Sequence, residues 1–418
     1  MPELLAARTP EAEGMTTARC RLLLLAITAT VSLGMVASTI YVPSIPTIAG
    51  ALETSVARVQ FTFVGYLLAF AVGMLALGPL SDRYGRRRTM ICGLALSTLS
   101  SIACAASPTI DFLIAARIVQ GVGACAGLVV GRAIIRDLWR REAAAQVIAG
   151  LAFIITLMQA FAPVLGGYLQ GWLGWRANFG AVAVLACLAM ALVILCVPEG
   201  RRPSAPRSGA EGMLASYRTL MATRRFLAYA LTATGSHAGF HIFAAGAPAV
   251  LIVGFGIRPD DYGYYASLPP MGFLLGSFLS NRMAARFGVD GLIGIGTAVV
   301  IAAGSLMIAL TLLHTASPYV IIGPMILICC GSGLITPNAV AGSLGVKAGI
   351  VGAASGLSSF MQMAGAAGAT AALSLGASGS PIVLAAIIAF AGLFAAVAFG
   401  SLFQLEPLSA QAEARASA

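Results

Sequence analysis

Apolar runs long enough to cross a bilayer recur along this chain, and they constrain its fold more than any other feature. Backbone amides and carbonyls in hydrocarbon must be satisfied within the segment, and about 20 residues of helix span the apolar layer. Segmenting on that basis predicts helices over 22–44, 57–80, 89–106, 109–131, 143–169 and 177–197. A second set follows over 226–253, 262–284, 289–313, 318–341, 349–375 and 381–404. The expected fold is all-α and polytopic, with twelve transmembrane helices in two pseudo-symmetric six-helix bundles. The organisation implied is a tail 1–21, a bundle 22–197, a linker 198–224, a bundle 225–404 and a tail 405–418.

Composition agrees. Of 418 residues, 59% are hydrophobic and only 10% charged, whereas soluble domains carry about a quarter charged residues. The 48 glycines suit helices packed closely in lipid. The net charge of +10 does not point to nucleic acid, because the basic residues sit in short loops between apolar runs. The eight cysteines form no C-x-x-C pair, which gives neither a metal site nor a disulfide framework. Arg19 and Arg21 before Leu22–Leu25 imitate a secretory leader, but the apolar run continues to about Val42 without a small-residue cleavage site. It reads as a first span.

Basic residues set the orientation. With both termini in the cytoplasm, 21 of the 25 Lys and Arg lie on that side. Arg58, Arg176 and Arg258 fall outside and Arg117 lies within. The loops holding Arg83, Arg86, Arg87 and Arg88, and Arg132, Arg136, Arg140 and Arg141, favour an inner face. In the linker, Pro198, Pro203 and Pro206 accompany Arg201, Arg202 and Arg207, while Met213, Leu214, Tyr217, Leu220 and Met221 recur at helical spacing. That pattern leaves open a short amphipathic surface helix or a simple turn.

Arg117 is the one Lys or Arg placed inside the bilayer. A guanidinium there costs about 2.5–3.5 kcal/mol on insertion scales, so it should face a bundle interior or a watery path. A chain that tolerates such a charge is expected to move something across the membrane.

The loop after the second span reads Gly78-Pro79-Leu80-Ser81-Asp82-Arg83-Tyr84-Gly85-Arg86-Arg87-Arg88. Gly78 and Gly85 would allow close packing and a tight turn. Asp82 could accept hydrogen bonds from a facing helix N-terminus, and the arginines could pair with carboxylates or lipid phosphates. This segment resembles the signature loop of the major facilitator superfamily, G-x-L-[AS]-D-R-x-G-R-[RK]. An echo, Ser277-Phe278-Leu279-Ser280-Asn281-Arg282 with Arg286 and Gly288, fits internal duplication.

Further segments resemble the drug:proton antiporter branch. Arg117, Gln120, Gly121 and Gly123 match R-x-x-Q-G-x-G of the fourth span. Ala162-Pro163-Val164-Leu165-Gly166-Gly167 is similar to G-P-x-x-G-G of the fifth, with alanine for the first glycine and Met158 at another usual glycine position. Trp175-Arg176-Ala177-Asn178-Phe179 resembles W-R-x-x-F. Tyr41-Val42-Pro43-Ser44-Ile45-Pro46 and Arg132-Ala133-Ile134-Ile135-Arg136-Asp137 resemble segments of Bcr/CflA-type exporters.

The resemblance implies a major facilitator fold and alternating access in a bacterial inner membrane. It places Asp82 and Arg83, with Gly85, in a cytoplasmic latch between the halves. It places Arg117, with Gln120 and Gly121, in the coupling centre, and Pro163, Gly166 and Gly167 in the bend and packing seam of the fifth span. Arg132 and Asp137 belong to the conformational set. No cofactor or metal is implied; a proton gradient is the expected driving force. The expected partners are a small-molecule substrate and the lipid bilayer, with no nucleic acid, and the chain is expected to be a monomer.

The sequence departs from that pattern in its acids. Many exporters of the branch carry an acid two positions before the tyrosine of Y-L-P; here the position is Thr39. All fifteen Asp and Glu fall in loops or at span ends, so no carboxylate is left near the midplane. His237 and His241, four residues apart on one helix face, are candidates to replace it, since imidazole titrates near neutral pH. They could equally bond neighbouring helices. Gly235, Gly239 and Gly246 would admit a close neighbour. Thr39, Tyr41, Gln159, Asn338 and Gln362 complete the candidate proton or substrate site, with helix packing as the other reading of each amide.

With Arg117 inside and no acid, the central site should favour neutral or anionic amphipathic compounds such as an antibiotic or secreted metabolite. The leading expectation is a proton-coupled secondary exporter; the alternative is a metabolite importer or facilitator of the same fold without coupling. An enzyme is not expected, since two histidines lack a catalytic carboxylate, serine elbow or metal-spacing companion. No P-loop offers direct ATP drive.

Overall fold

The computed structural model describes residues 17–198, 210–313, 317–347, 350–376 and 379–403. The second tail lies outside these, as does most of the first, along with Arg201, Arg202, Pro203, Pro206 and Arg207 of the linker. The elements are helices: α1 Thr17–Thr39, α2 Ile45–Ala51, α3 Val56–Tyr84, α4 Arg86–Ala105, α5 Ile110–Leu138, α6 Arg141–Leu173 and α7 Arg176–Cys196. They continue as α8 Ala210–Ala222, α9 Arg224–Pro248, α10 Pro259–Leu312, α11 Tyr319–Gly345, α12 Val351–Leu375 and α13 Pro381–Phe403.

Local chemistry sets the ends. The first helix ends at Thr39, and the chain proceeds through a 3₁₀ turn, Val42–Ser44, into α2, all within one apolar span, Ala18–Ala51. Pro43 and Pro46 each sit in the first turn of a new helix, where the missing amide costs nothing. Ser55 caps α3 by accepting the Arg58 amide at 3.2 Å, and Thr109 caps α5 by accepting that of Phe112 at 3.3 Å. Gly85, at φ 98°, turns the chain between α3 and α4. The signature loop is thus mostly helix: Gly78 to Tyr84 complete α3, and Arg132 to Asp137 complete α5. A Cβ on Gly78 would meet nothing within 4 Å, so this glycine makes no close packing contact.

Ten helices among the described residues are long and apolar enough to cross a membrane. The twelve expected spans map onto them with two exceptions. The spans over 262–284 and 289–313 are the two limbs of α10, separated by the non-helical Gly288 (φ 65°, ψ −178°). The span over 349–375 is α12, a full helix whose Gly, Ala, Ser and Gln362 keep it less apolar than its neighbours. Outward faces carry exposed Leu99, Leu188, Leu195, Phe390 and Val397, which suits a hydrocarbon surround.

The described residues fall into two compact units, those within Met1–Arg207 and Ala247–Ser267, and those within Ser208–Gly246 and Leu268–Ala418. In the first, α5 is the central helix and packs chiefly on α3 and α4, with α1 alongside. Glycine permits this closeness. A Cβ on Gly123 would stand 2.6 Å from Ser97 N, and one on Gly121 3.2 Å from Phe70 N. In the second unit, α9 packs on α13 at Gly235, where a Cβ would lie 2.7 Å from Ala391 O. Helices this close gain dispersion contacts without needing a hydrophobic driving force.

Candidate functional site

Arg117 projects from α5 into the interior of the first unit and has no exposed surface. Its Nη1 donates to the carbonyl of Ala37 on α1 at 3.0 Å and to Oε1 of Gln120, one turn along α5. Gln120 Nε2 in turn donates to Ser101 Oγ on α4 at 2.7 Å, and that hydroxyl donates to Ser97 O at 2.5 Å. The buried charge therefore ties α1, α4 and α5 together.

Three rings close around the guanidinium. Its central carbon lies 4.4 Å from the ring centre of Tyr41, 4.2 Å from Tyr66 and 5.8 Å from Phe179. A cation over an aromatic face is stabilised by about 2 kcal/mol or more when desolvated. The rings are themselves fixed: Tyr66 donates to Gly34 O at 2.5 Å, and Tyr41 shares a 2.8 Å hydrogen bond with Thr62. Phe179 packs on Tyr41 at 5.3 Å and edge-on to Trp175 at 6.1 Å. Arg176 stacks over the Trp175 ring at 4.2 Å and donates to Ser107 O at 3.2 Å. Asn178 donates to Ser44 Oγ at 2.8 Å. The W-R-x-x-F and Y-x-P segments thus furnish two walls of one cage.

No carboxylate enters it: among the described residues, no ion pair includes Arg117. Nη1 makes both hydrogen bonds, to Ala37 O and Gln120 Oε1, and among the described residues neither Nε nor Nη2 has a carboxylate partner. Aromatic faces carry the compensation that an acid supplies elsewhere. Tyr66, Ser101 and the Ala37 carbonyl were not marked by the sequence reasoning; the spacing of Arg117 and Gln120 was the signal that could be read. Thr39 is buried, but its hydroxyl is spent on Met35 O at 3.1 Å rather than on Arg117.

The remaining candidates separate. Gly166 lies against the Ile40 backbone, and a Cβ on Gly167 would come within 2.5 Å of Pro259 O. A Cβ on Gly263 would lie 2.9 Å from Pro163 O. The Tyr168 and Tyr264 hydroxyls are hydrogen-bonded beside this seam. Asp82 pairs with Arg86 at 2.5 Å, and Arg86 reaches Asp137 at 3.2 Å and Ser81 Oγ at 2.5 Å. Arg83 lies over the ring of its neighbour Tyr84 at 5.4 Å. Arg132 is half-buried on α5.

His237 and His241 belong to the second unit. Their rings stand 4.5 Å apart, and His241 Nδ1 lies 3.2 Å from the His237 carbonyl. His241 is fully buried and His237 half-buried. A Cβ on Gly239 would meet only Ile328, at 3.9 Å, so this part of α9 has room beside it. Asn338 donates to Ser280 Oγ and Leu334 O, both at 2.7 Å. Gln362 donates to Ser358 O of its own helix at 3.2 Å, and Gln159 is half-buried on α6.

The described chain is a polytopic helical protein with a caged cation among its spans. Residues 27–370 match the Major Facilitator Superfamily, and the chain belongs to that family; it is a multi-pass transporter, not an enzyme. It is 29% identical over 352 residues to multidrug resistance protein D of Escherichia coli (strain K12), covering 84% of this chain and 88% of that one. It is 27% identical over 274 residues to a bicyclomycin resistance protein homolog of Haemophilus influenzae, covering 65% and 69%. These relatives fit the Bcr/CflA-type branch of drug:proton antiporters. In fold, the chain is similar to a crystal structure of a D-xylose–proton symporter, with a TM-score of 0.70 at 15% identity over 90% of this chain and 97% of that one.

Proposed function

We propose that this transporter exports a small neutral or anionic amphipathic compound by alternating access, driven by the proton gradient. The observation that carries the reading is the Arg117 cage, a fully buried cation compensated by two tyrosine faces and no carboxylate. A permanent positive charge without a counter-acid repels organic cations and leaves neutral and anionic solutes unopposed. The drug-resistance names of the relatives support export as the direction.

In this reading the Arg117 group is the coupling centre and does not itself carry the proton, since a guanidinium stays protonated. His237 and His241 carry it, near the room left at Gly239. Gly166, Gly167 and Pro163 supply the seam that opens and closes, and the Asp82–Arg86–Asp137 chain steadies the cytoplasmic ends of α3, α4 and α5. Both termini are cytoplasmic, the membrane is the bacterial inner membrane, and the chain works as a monomer.

Efflux from proteoliposomes with an imposed pH gradient tests this, using bicyclomycin and panels of neutral, anionic and cationic amphiphiles. The expected result is gradient-dependent movement of neutral or anionic compounds. Preferential export of quaternary ammonium dyes would overturn the substrate class. Movement indifferent to the gradient would favour the uncoupled facilitator, a reading that the missing midplane carboxylate makes concrete.

A further inference from the structure

Helix α8 carries two apolar stripes, and among the described residues only one of them is covered. Tyr217 and Leu220 pack into a buried cluster with Phe226 and Ala230 of α9 and Ala354 and Leu357 of α12. Leu214 and Met221 stay 55% and 49% exposed. Arg218 lies between them, also exposed. Spacings of four and three residues put Leu214, Arg218 and Met221 on one face.

Charge around that face is predominantly positive. Arg224 and Arg225 are exposed where α9 begins, and Lys347 is exposed beyond α11. Glu211 is the sole acid in the stretch 210–225. Depth follows from the covered stripe: it rests on the first turns of α9 and α12, where two membrane-crossing helices start. The open stripe therefore lies at the level where headgroups meet acyl chains.

We propose that this face of α8 docks onto anionic phospholipid, with Leu214 and Met221 entering the acyl boundary and Arg218 and Arg224 binding headgroup phosphates. Apolar side chains interleaved with long basic ones are the chemistry of an interfacial helix, because the stems bury while the guanidiniums stay at the phosphates. Charged contacts of this kind weaken with salt. The surface is independent of the transport reading, since none of its residues belongs to the Arg117 cage or the histidine pair.

The test is amide hydrogen exchange across α8 in the full chain, in nanodiscs of phosphatidylcholine and of equal parts phosphatidylcholine and phosphatidylglycerol. Exchange in α8 is expected to slow in the anionic discs and to recover with salt. Each of Arg218→Gln and Arg224→Gln should remove about fivefold of that protection, while exchange in α9 stays at the wild-type rate and shows the fold intact. Leu214→Ser with Met221→Ser should shrink the protection without changing its salt dependence. Equal exchange in both lipids, or full protection in the Arg218→Gln, Arg224→Gln double variant, would overturn the proposal. Protection that rises with protein concentration at fixed lipid would assign the face to protein contact instead.

Discussion

The guanidinium of Arg117 lies 4.2 Å from the ring centre of Tyr66, and the Tyr66 hydroxyl donates to the carbonyl of Gly34 at 2.5 Å. Two helices, α3 and α1, are thereby drawn toward a charge carried by a third. Everything else in the cage elaborates this arrangement: Tyr41 supplies the second face, Gln120 and Ala37 take Nη1, and Phe179 closes the side.

Arg117→Ala should lower transport by about tenfold or more, measured as proteoliposome efflux at matched protein, because it removes charge-assisted bonds of roughly 1.5–3 kcal/mol each. Arg117→Lys should not restore it. A compact ammonium cannot lie flat between two rings while reaching both the Ala37 carbonyl and Gln120. Wild-type efflux in the alanine variant would remove Arg117 from the mechanism.

Tyr66→Phe and Tyr66→Leu divide the ring from its hydroxyl. Phenylalanine keeps the aromatic face and loses one hydrogen bond, about 1 kcal/mol. Leucine also loses the cation–π contact, about 2 kcal/mol, and leaves a void beside a charge. Thermal unfolding in detergent should therefore rank wild type, then Tyr66→Phe, then Tyr66→Leu well below. Equal melting of the two variants would mean that the ring face does not compensate the cation.

Replacing both His237 and His241 with alanine should flatten the dependence of efflux on pH while leaving binding of substrate measurable. Their rings touch at 4.5 Å, so a proton on one opposes a proton on the other. Single variants should then narrow the pH response less than the pair does. A double variant with the wild-type pH profile would assign proton movement elsewhere.

Gly167→Val should slow transport by about tenfold, because its Cβ would collide with the Pro259 carbonyl and force α6 from the start of α10. Overpacking of this kind costs about 1–3 kcal/mol. Gly171→Ala is the control, since a Cβ there meets nothing within 4 Å. If the two variants transport alike, the seam does not gate.

The helical spans were legible because lipid forbids the alternatives, so length and apolarity alone locate them. Their ends were less so: Pro43 and Pro46 start a 3₁₀ turn and a short helix where the first helix was expected to run on, while the expected break after residue 284 falls at Gly288. Arg117 and Gln120 stood out because a charge and an amide are rare at that depth. Tyr66 did not, because an aromatic in an apolar run reads the same whether it faces lipid or a guanidinium. Ser101 stayed hidden for a similar reason, since membrane serines usually bond their own helix, as this one also does to Ser97. The signature loop was recognised, yet its reach into helix and the Asp82–Arg86–Asp137 chain depend on how α3 and α5 extend.

The closeness of Gly166 to the Ile40 backbone also dictates where this transporter is able to vary. The obstacle is main chain, which no neighbouring substitution can trim, so a saturation library selected for activity should return glycine alone at 166. Gly150 and Gly180, with nothing within 4 Å, should accept many residues. New substrate ranges would then have to arise from other side chains, because this backbone contact offers selection no raw material.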